Sequence, residues 1–154
     1  MRCLAQMMSI PVSLLTVAFL SIITPHDVSG AEPSGVICDC SLQQGPCTTN
    51  TGSGLQISLA IEPRPIIAMN NLTFRVTVAQ HGLPVNDATV LLDLSMPGMF
   101  MGANRPRLVP SKPGLYVGTG VITRCMSGKK TWKAEVSIER HGSVETVEYV
   151  FEVQ

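Results

Sequence analysis

Three methionines crowd into six positions of the segment SMPGMFMGANRP, residues 95–106, where two prolines and two glycines interrupt any regular element. Sulfur is the chemistry on offer. Thioether and thiolate sulfurs are soft donors that select Cu(I), whereas imidazole or carboxylate sets favour zinc, nickel or calcium. Met96, Met99 and Met101 follow an M-x-x-M-x-M spacing, and Pro97-Gly98 can turn the backbone so that all three converge on one centre. Three thioethers would suit the trigonal coordination that Cu(I) tolerates, with Cys125 or Met126 as a further ligand. The competing reading is packing. Methionine is an adaptable core filler, and Met96 continues an apolar row through Leu92 and Leu94, so it can plug the end of a core.

The remaining cysteines are read together with the N-terminal segment. Arg2, the uncharged apolar run Ile10 to Ile23 and the small residues Val28-Ser29-Gly30-Ala31 form the pattern of a secretory signal over residues 1–30. The run falls short of the roughly 20 apolar residues that span a bilayer. The protein is therefore expected to be exported, to the periplasm, and to be membrane-anchored only if the signal stays uncleaved. Cleavage removes Cys3 and leaves Cys38, Cys40, Cys47 and Cys125, an even number in a compartment where disulfides form. A Cys38–Cys40 bridge would close a strained ring. Pairing of either with Cys47 or Cys125 would staple the segment to the domain, and thiolate ligation of a soft metal is the alternative. Redox catalysis ranks third, because Asp39 opposes thiolate formation beside it.

Residues 31–54 are rich in Gly, Ser, Thr and Pro and poor in apolar side chains, the composition of a flexible Cys-containing leader. From Leu55 to the end of the chain, period-two alternation recurs between turn residues. Leu55, Ile57, Leu59 and Ile61 share a face, as do Leu72, Phe74, Val76 and Val78. Further rows are Ala88, Val90, Leu92 and Leu94, then Trp132, Ala134, Val136 and Ile138, then Val147, Tyr149, Phe151 and Val153. Arg107 to Val109 reads as a short edge strand between two prolines. Leu115 to Arg124 carries Gly118 and Gly120 on the face of Tyr116, leaving room for a bulky neighbour such as Trp132. About seven short strands and no helical period predict an all-β, immunoglobulin-like antiparallel β-sandwich over residues 55–154.

Antiparallel order then decides where the loops go. With the stretch near Arg107 counted as a crossing, the connections 63–71, 96–104 and 124–130 share one pole. They hold Met69, Met96, Met99, Met101, Cys125 and Met126. His81 and His141, each before a glycine in a hairpin turn, belong to the other pole, where an exposed turn histidine is the plain reading.

The order SMPGMFMGANRPRL, then PGLYVGTGVI, then SGKKTWKAEV resembles the YtkA-like and FixH-like group of small exported β-sandwich domains, from about Ile57 to Val153. The resemblance implies an immunoglobulin-like fold and a periplasmic or membrane-facing role linked to copper handling, in some members through copper oxidase assembly. It highlights Met96, Met99 and Met101 in the loop and implies Tyr116, Gly118 and Trp132 as a structural signature.

Composition narrows the function classes. Lys and Arg balance Asp and Glu at 11 each with no basic run, so a phosphate-tracking nucleic-acid surface has no support. No Ser-His-Asp order, glycine-rich phosphate loop or carboxylate pair in an apolar run points to an enzyme, and no small-molecule substrate is evident. Two readings remain. The first is a periplasmic copper-binding carrier, buffer or accessory to efflux or oxidase assembly, with Cu(I) at Met96, Met99, Met101, Cys125 and Met126. The second is a non-metal interaction module that docks a periplasmic or membrane protein complex through a methionine-rich apolar loop.

Overall fold

The computed structural model describes residues 36–39, as backbone alone, and residues 41–154. The expected signal over residues 1–30 and the side chains of Cys38 and Cys40 lie outside the described residues. The described residues form ten strands in chain order: β1 Val36–Asp39, β2 Cys47–Asn50, β3 Leu55–Glu62, β4 Asn71–Gln80, β5 Leu83–Pro84, β6 Thr89–Ser95, β7 Val109–Lys112, β8 Leu115–Val121, β9 Thr131–Arg140 and β10 Ser143–Glu152. Among the described residues there is no helix.

The strands form where alternation gives each one an apolar face, and the turns form where the backbone must reverse. His81-Gly82 and His141-Gly142 both take positive φ, 51° and 78° in the first pair and 51° and 77° in the second. That combination is what a type I′ two-residue hairpin requires, and it links β4 to β5 and β9 to β10. Strand order is β1-β10-β9-β6 in one sheet and β2-β3-β4-β8-β7 in the other, with β5 against the end of β4. All pairings are antiparallel except β1 with β10, which is parallel.

The inward rows meet between the sheets as alternation predicts. Ile57, Leu59, Ile61, Leu72, Phe74, Val76, Val78, Leu94, Ala134, Val136, Val147 and Tyr149 are completely buried, and a fully buried aliphatic or Phe side chain contributes roughly 1.5–3 kcal/mol. Two tyrosines tie this apolar layer to backbone. The Tyr149 hydroxyl donates to the Ile57 carbonyl oxygen across the sandwich at 2.9 Å. The Tyr116 hydroxyl reaches the carbonyl oxygens of Val85 and Ala88, each at 3.2 Å, and shares its one proton between them.

Two expectations need correction. Residues 41–54 are not a flexible leader. Leu42 is completely buried, Cys47 is 4% exposed within the core, and β2 runs antiparallel to β3 with Cys47 opposite Leu59. The Gln43 side chain accepts from the Ile66 N–H at 2.9 Å and donates to the Glu152 carbonyl at 2.7 Å. A segment so poor in apolar residues reads as unable to build a core, yet here it only completes one already built, and it pairs with the edge of a sheet that would otherwise lie open. Cys47 is disulfide-bonded, whereas Cys125 is a free thiol and takes no part in that bond.

The second correction concerns the glycine face of β8. A Cβ at Gly118 would stand 2.5 Å from the Arg107 carbonyl oxygen, and one at Gly120 would stand 2.9 Å from Cγ of Pro106. The room beside Tyr116 is thus filled by the 106–108 backbone crossing over β8, not by Trp132. Strand pairing starts only afterwards, at Val109, so the short edge strand lies two residues later than alternation places it.

Replacement of Leu42 by alanine tests the first correction. The structure predicts a loss of about 2–5 kcal/mol of unfolding free energy, measured by urea denaturation of the oxidised protein. A loose leader would leave the midpoint unchanged.

Candidate metal centre

The methionine loop is closed before its sulfurs are placed. The Leu94 N–H donates to the Asn104 carbonyl oxygen at 2.8 Å, and the Asn104 side-chain amide donates to the Val121 carbonyl at 3.0 Å. The first bond shuts residues 94–104 into a ring, and the second fastens that ring from the end of β6 to the end of β8 in the opposite sheet. Arg105 adds an ion pair to Asp93 at 2.6 Å. Within the ring, the Met99 N–H donates to the Met96 carbonyl at 3.1 Å and Gly98 has φ 72°. Pro at the second position and a positive-φ glycine at the third are the signature of a type II turn, so Pro97-Gly98 reverses the chain as its composition predicts.

A second turn faces the first. The Gly128 N–H donates to the Cys125 carbonyl at 3.1 Å, and Gly128 has φ 74°. Cys125 and Ser127 flank Met126 in this turn, and the Ser127 hydroxyl lies 3.0 Å from Cys125 Sγ. Met126, at the tip, is fully exposed.

Between the two turns, Cys125 Sγ lies 4.0 Å from Met99 Sδ, and the Ser127 hydroxyl lies 4.0 Å from the same thioether. Those sulfurs come from loops 26 residues apart, so topology alone brings them together. Their separation is what two ligands have when each sits about 2.3 Å from one metal ion in trigonal array. Cys125 is buried apart from 6% of its surface. The Ser127 hydroxyl, with backbone N–H groups of Ser127 and Lys129 and the Lys129 charge, holds its thiol below the ordinary cysteine range, against the opposing effect of burial. A thiol so placed ionises more readily than an ordinary one.

The other sequence candidates are distributed unevenly. Met96 is sealed at 3% exposure among core residues, and Met101 is half-buried against the same core. Met69, with φ 65°, projects to solvent at 62% exposure, though its N–H donates to the Ile122 carbonyl at 2.8 Å and so places its loop at the same pole. Met126, at the turn tip, is fully exposed to solvent. Cys47 belongs to the disulfide. His81 and His141 lie at the opposite end, where His141 Nε2 stands 3.1 Å from Asp87. Among the described residues no three His, Cys, Asp or Glu side chains come together. Ser127 escapes sequence reasoning, although the Ser-Gly pair after Cys125 is a turn signal that could have revealed it.

Replacing Ser127 by alanine removes the largest influence holding the thiol down. The Cys125 thiol of the variant is expected to titrate at higher pH than in the wild type, read from the pH dependence of alkylation by iodoacetamide, while unfolding free energy changes little.

No family model and no curated protein matches the chain. Among solved structures, a DUF4785 family protein from Legionella pneumophila superposes with a TM-score of 0.49 at 13% sequence identity; the overlap covers 68% of this chain and 29% of that one.

Proposed function

We propose that this protein is an exported, periplasmic Cu(I)-binding protein that carries or buffers copper, or serves as accessory to an efflux or oxidase-assembly system, as a binding protein rather than an enzyme. The observation that carries the reading is the 4.0 Å approach of Cys125 Sγ to Met99 Sδ. Copper is cargo here. Cys125 supplies the anionic ligand, Met99 the soft neutral one, and Met101, half-buried in the same loop, is the third ligand we propose. Ser127 holds the thiol ready by favouring its ionised form. Likeness of the loop order to the YtkA-like and FixH-like domains supports the same assignment.

A second reading has its own support. Met69, Phe100 and Met126 are 62%, 96% and fully exposed at the methionine pole, an apolar surface suited to docking a periplasmic or membrane protein partner. The two readings separate on leucine, which preserves apolar contact and abolishes thioether ligation.

Titration of the exported protein with Cu(I) against a competing chelator provides the test. Met99→Leu is expected to weaken binding at least about tenfold, equivalent to about 1.4 kcal/mol, and Cys125→Ser by more. Met69→Leu and Met126→Leu leave affinity unchanged. Unaltered affinity in a Cys125→Ser, Met99→Leu double variant would remove this pair from the site.

A further inference from the structure

We propose that the cavity adjoining Cys125 receives a small anionic thiol carrying Cu(I), and that the metal passes between that thiol and the Cys125–Met99 pair by ligand exchange. This rests on the copper reading above and names the form in which the cargo arrives.

The cavity holds about 310 Å³, at the lower bound of sites for small ligands. Ala68 and Trp132 form apolar parts of its wall, Cys125 lies in it, and Arg124, Lys129 and Lys130 line it. Among the described residues no carboxylate side chain lines it. Cys125 lines this basic cavity and its Sγ lies 4.0 Å from Met99 Sδ, so one residue is common to the sulfur pair and to the space where a ligand would sit.

The distribution of charge sharpens the point. Arg75, Arg105, Lys133 and Arg140 are all held by carboxylates. Arg124, Lys129 and Lys130, like Arg64, Arg107 and Lys112, form no ion pair among the described residues, but these three are exposed around a single opening. Cations left unneutralised on one rim attract anions and raise their local concentration, an influence exerted mainly on the rate of association. An anion without a thiol would find charge there but nothing for Cys125 to exchange. A thiol complex of Cu(I) satisfies both features.

The exchange balances without any oxidant. The copper–sulfur bond to the incoming thiolate breaks as the bond to Cys125 Sγ forms, the proton leaving Cys125 passes to the departing sulfur, and copper stays Cu(I).

Stopped-flow transfer of Cu(I) to the full-length exported protein tests this, with Trp132 fluorescence as reporter, since it is the one tryptophan of the chain and lines the cavity. Glutathione serves as anionic donor and 2-mercaptoethanol as neutral donor. At low salt the glutathione complex is expected to gain about tenfold in rate over the neutral one from electrostatic attraction. An Arg124→Gln, Lys130→Gln variant loses most of that gain while keeping its equilibrium Cu(I) affinity and its rate with the neutral donor. Equal sensitivity of both donors to the double change, or none for either, with affinity intact, overturns the cavity proposal alone. Absence of equilibrium Cu(I) binding in the wild type overturns the copper reading and this one together.

Discussion

Asn104 joins the two sheets at the pole where the sulfur chemistry lies. Its carbonyl closes the methionine loop onto Leu94 at the end of β6, and its side chain grips Val121 at the end of β8. Those strands belong to opposite sheets, so the loop becomes a bridge over the end of the sandwich. Everything at the pole follows from that bridge. Met99 is carried from the β6 side to the turn that begins at Cys125, and two sulfurs distant in sequence meet. A loop hanging from β6 alone would have no reason to place a thioether beside that thiol.

Not all methionines at this end do the same work. Met96 behaves as a core residue, continuing the row of Leu92 and Leu94 and sealing the space between the sheets. Met99 sits one tight turn further on and is only half-buried, which leaves its sulfur free to face Cys125. Met126 and Met69 are turned outward by the local geometry of their own turns. The free energy of burial thus accounts for Met96 without any ligand, whereas Met99 packs against the core from a half-buried position and also stands 4.0 Å from Cys125 Sγ. Ser127 bears on the same thiol. Its hydroxyl lies 3.0 Å from Cys125 Sγ, and this contact is the largest influence holding the thiol below the ordinary cysteine range.

Much of this could be read from the amino acids. Period-two rows fixed the inward faces of β3, β4, β6, β9 and β10, because each row is long and each is stopped by turn residues. Counting antiparallel crossings was enough to place the loops holding Met69, Met99 and Cys125 at one end and the two histidines at the other. Side-chain direction within a turn was not legible from spacing, which is why Met126 looked equivalent to Met99 until the turn Cys125–Gly128 assigned it the tip. The segment from Leu42 to Asn50 was hidden for a different reason. One buried leucine, one disulfide-bonded cysteine and a short strand suffice to dock on a finished core, and so sparse a pattern resembles a linker. The glycines of β8 signalled a close approach correctly, but nothing in the sequence identified the backbone of Arg107 as what approaches.

X-ray absorption at the copper edge of the Cu(I)-loaded protein tests the central claim most directly, namely that a thiolate and a thioether from two loops share one ion. The account predicts a first shell of sulfur at about 2.3 Å, with one sulfur fewer in Met99→Leu. A shell of nitrogen or oxygen, or a sulfur shell indifferent to both Met99 and Cys125, would contradict it.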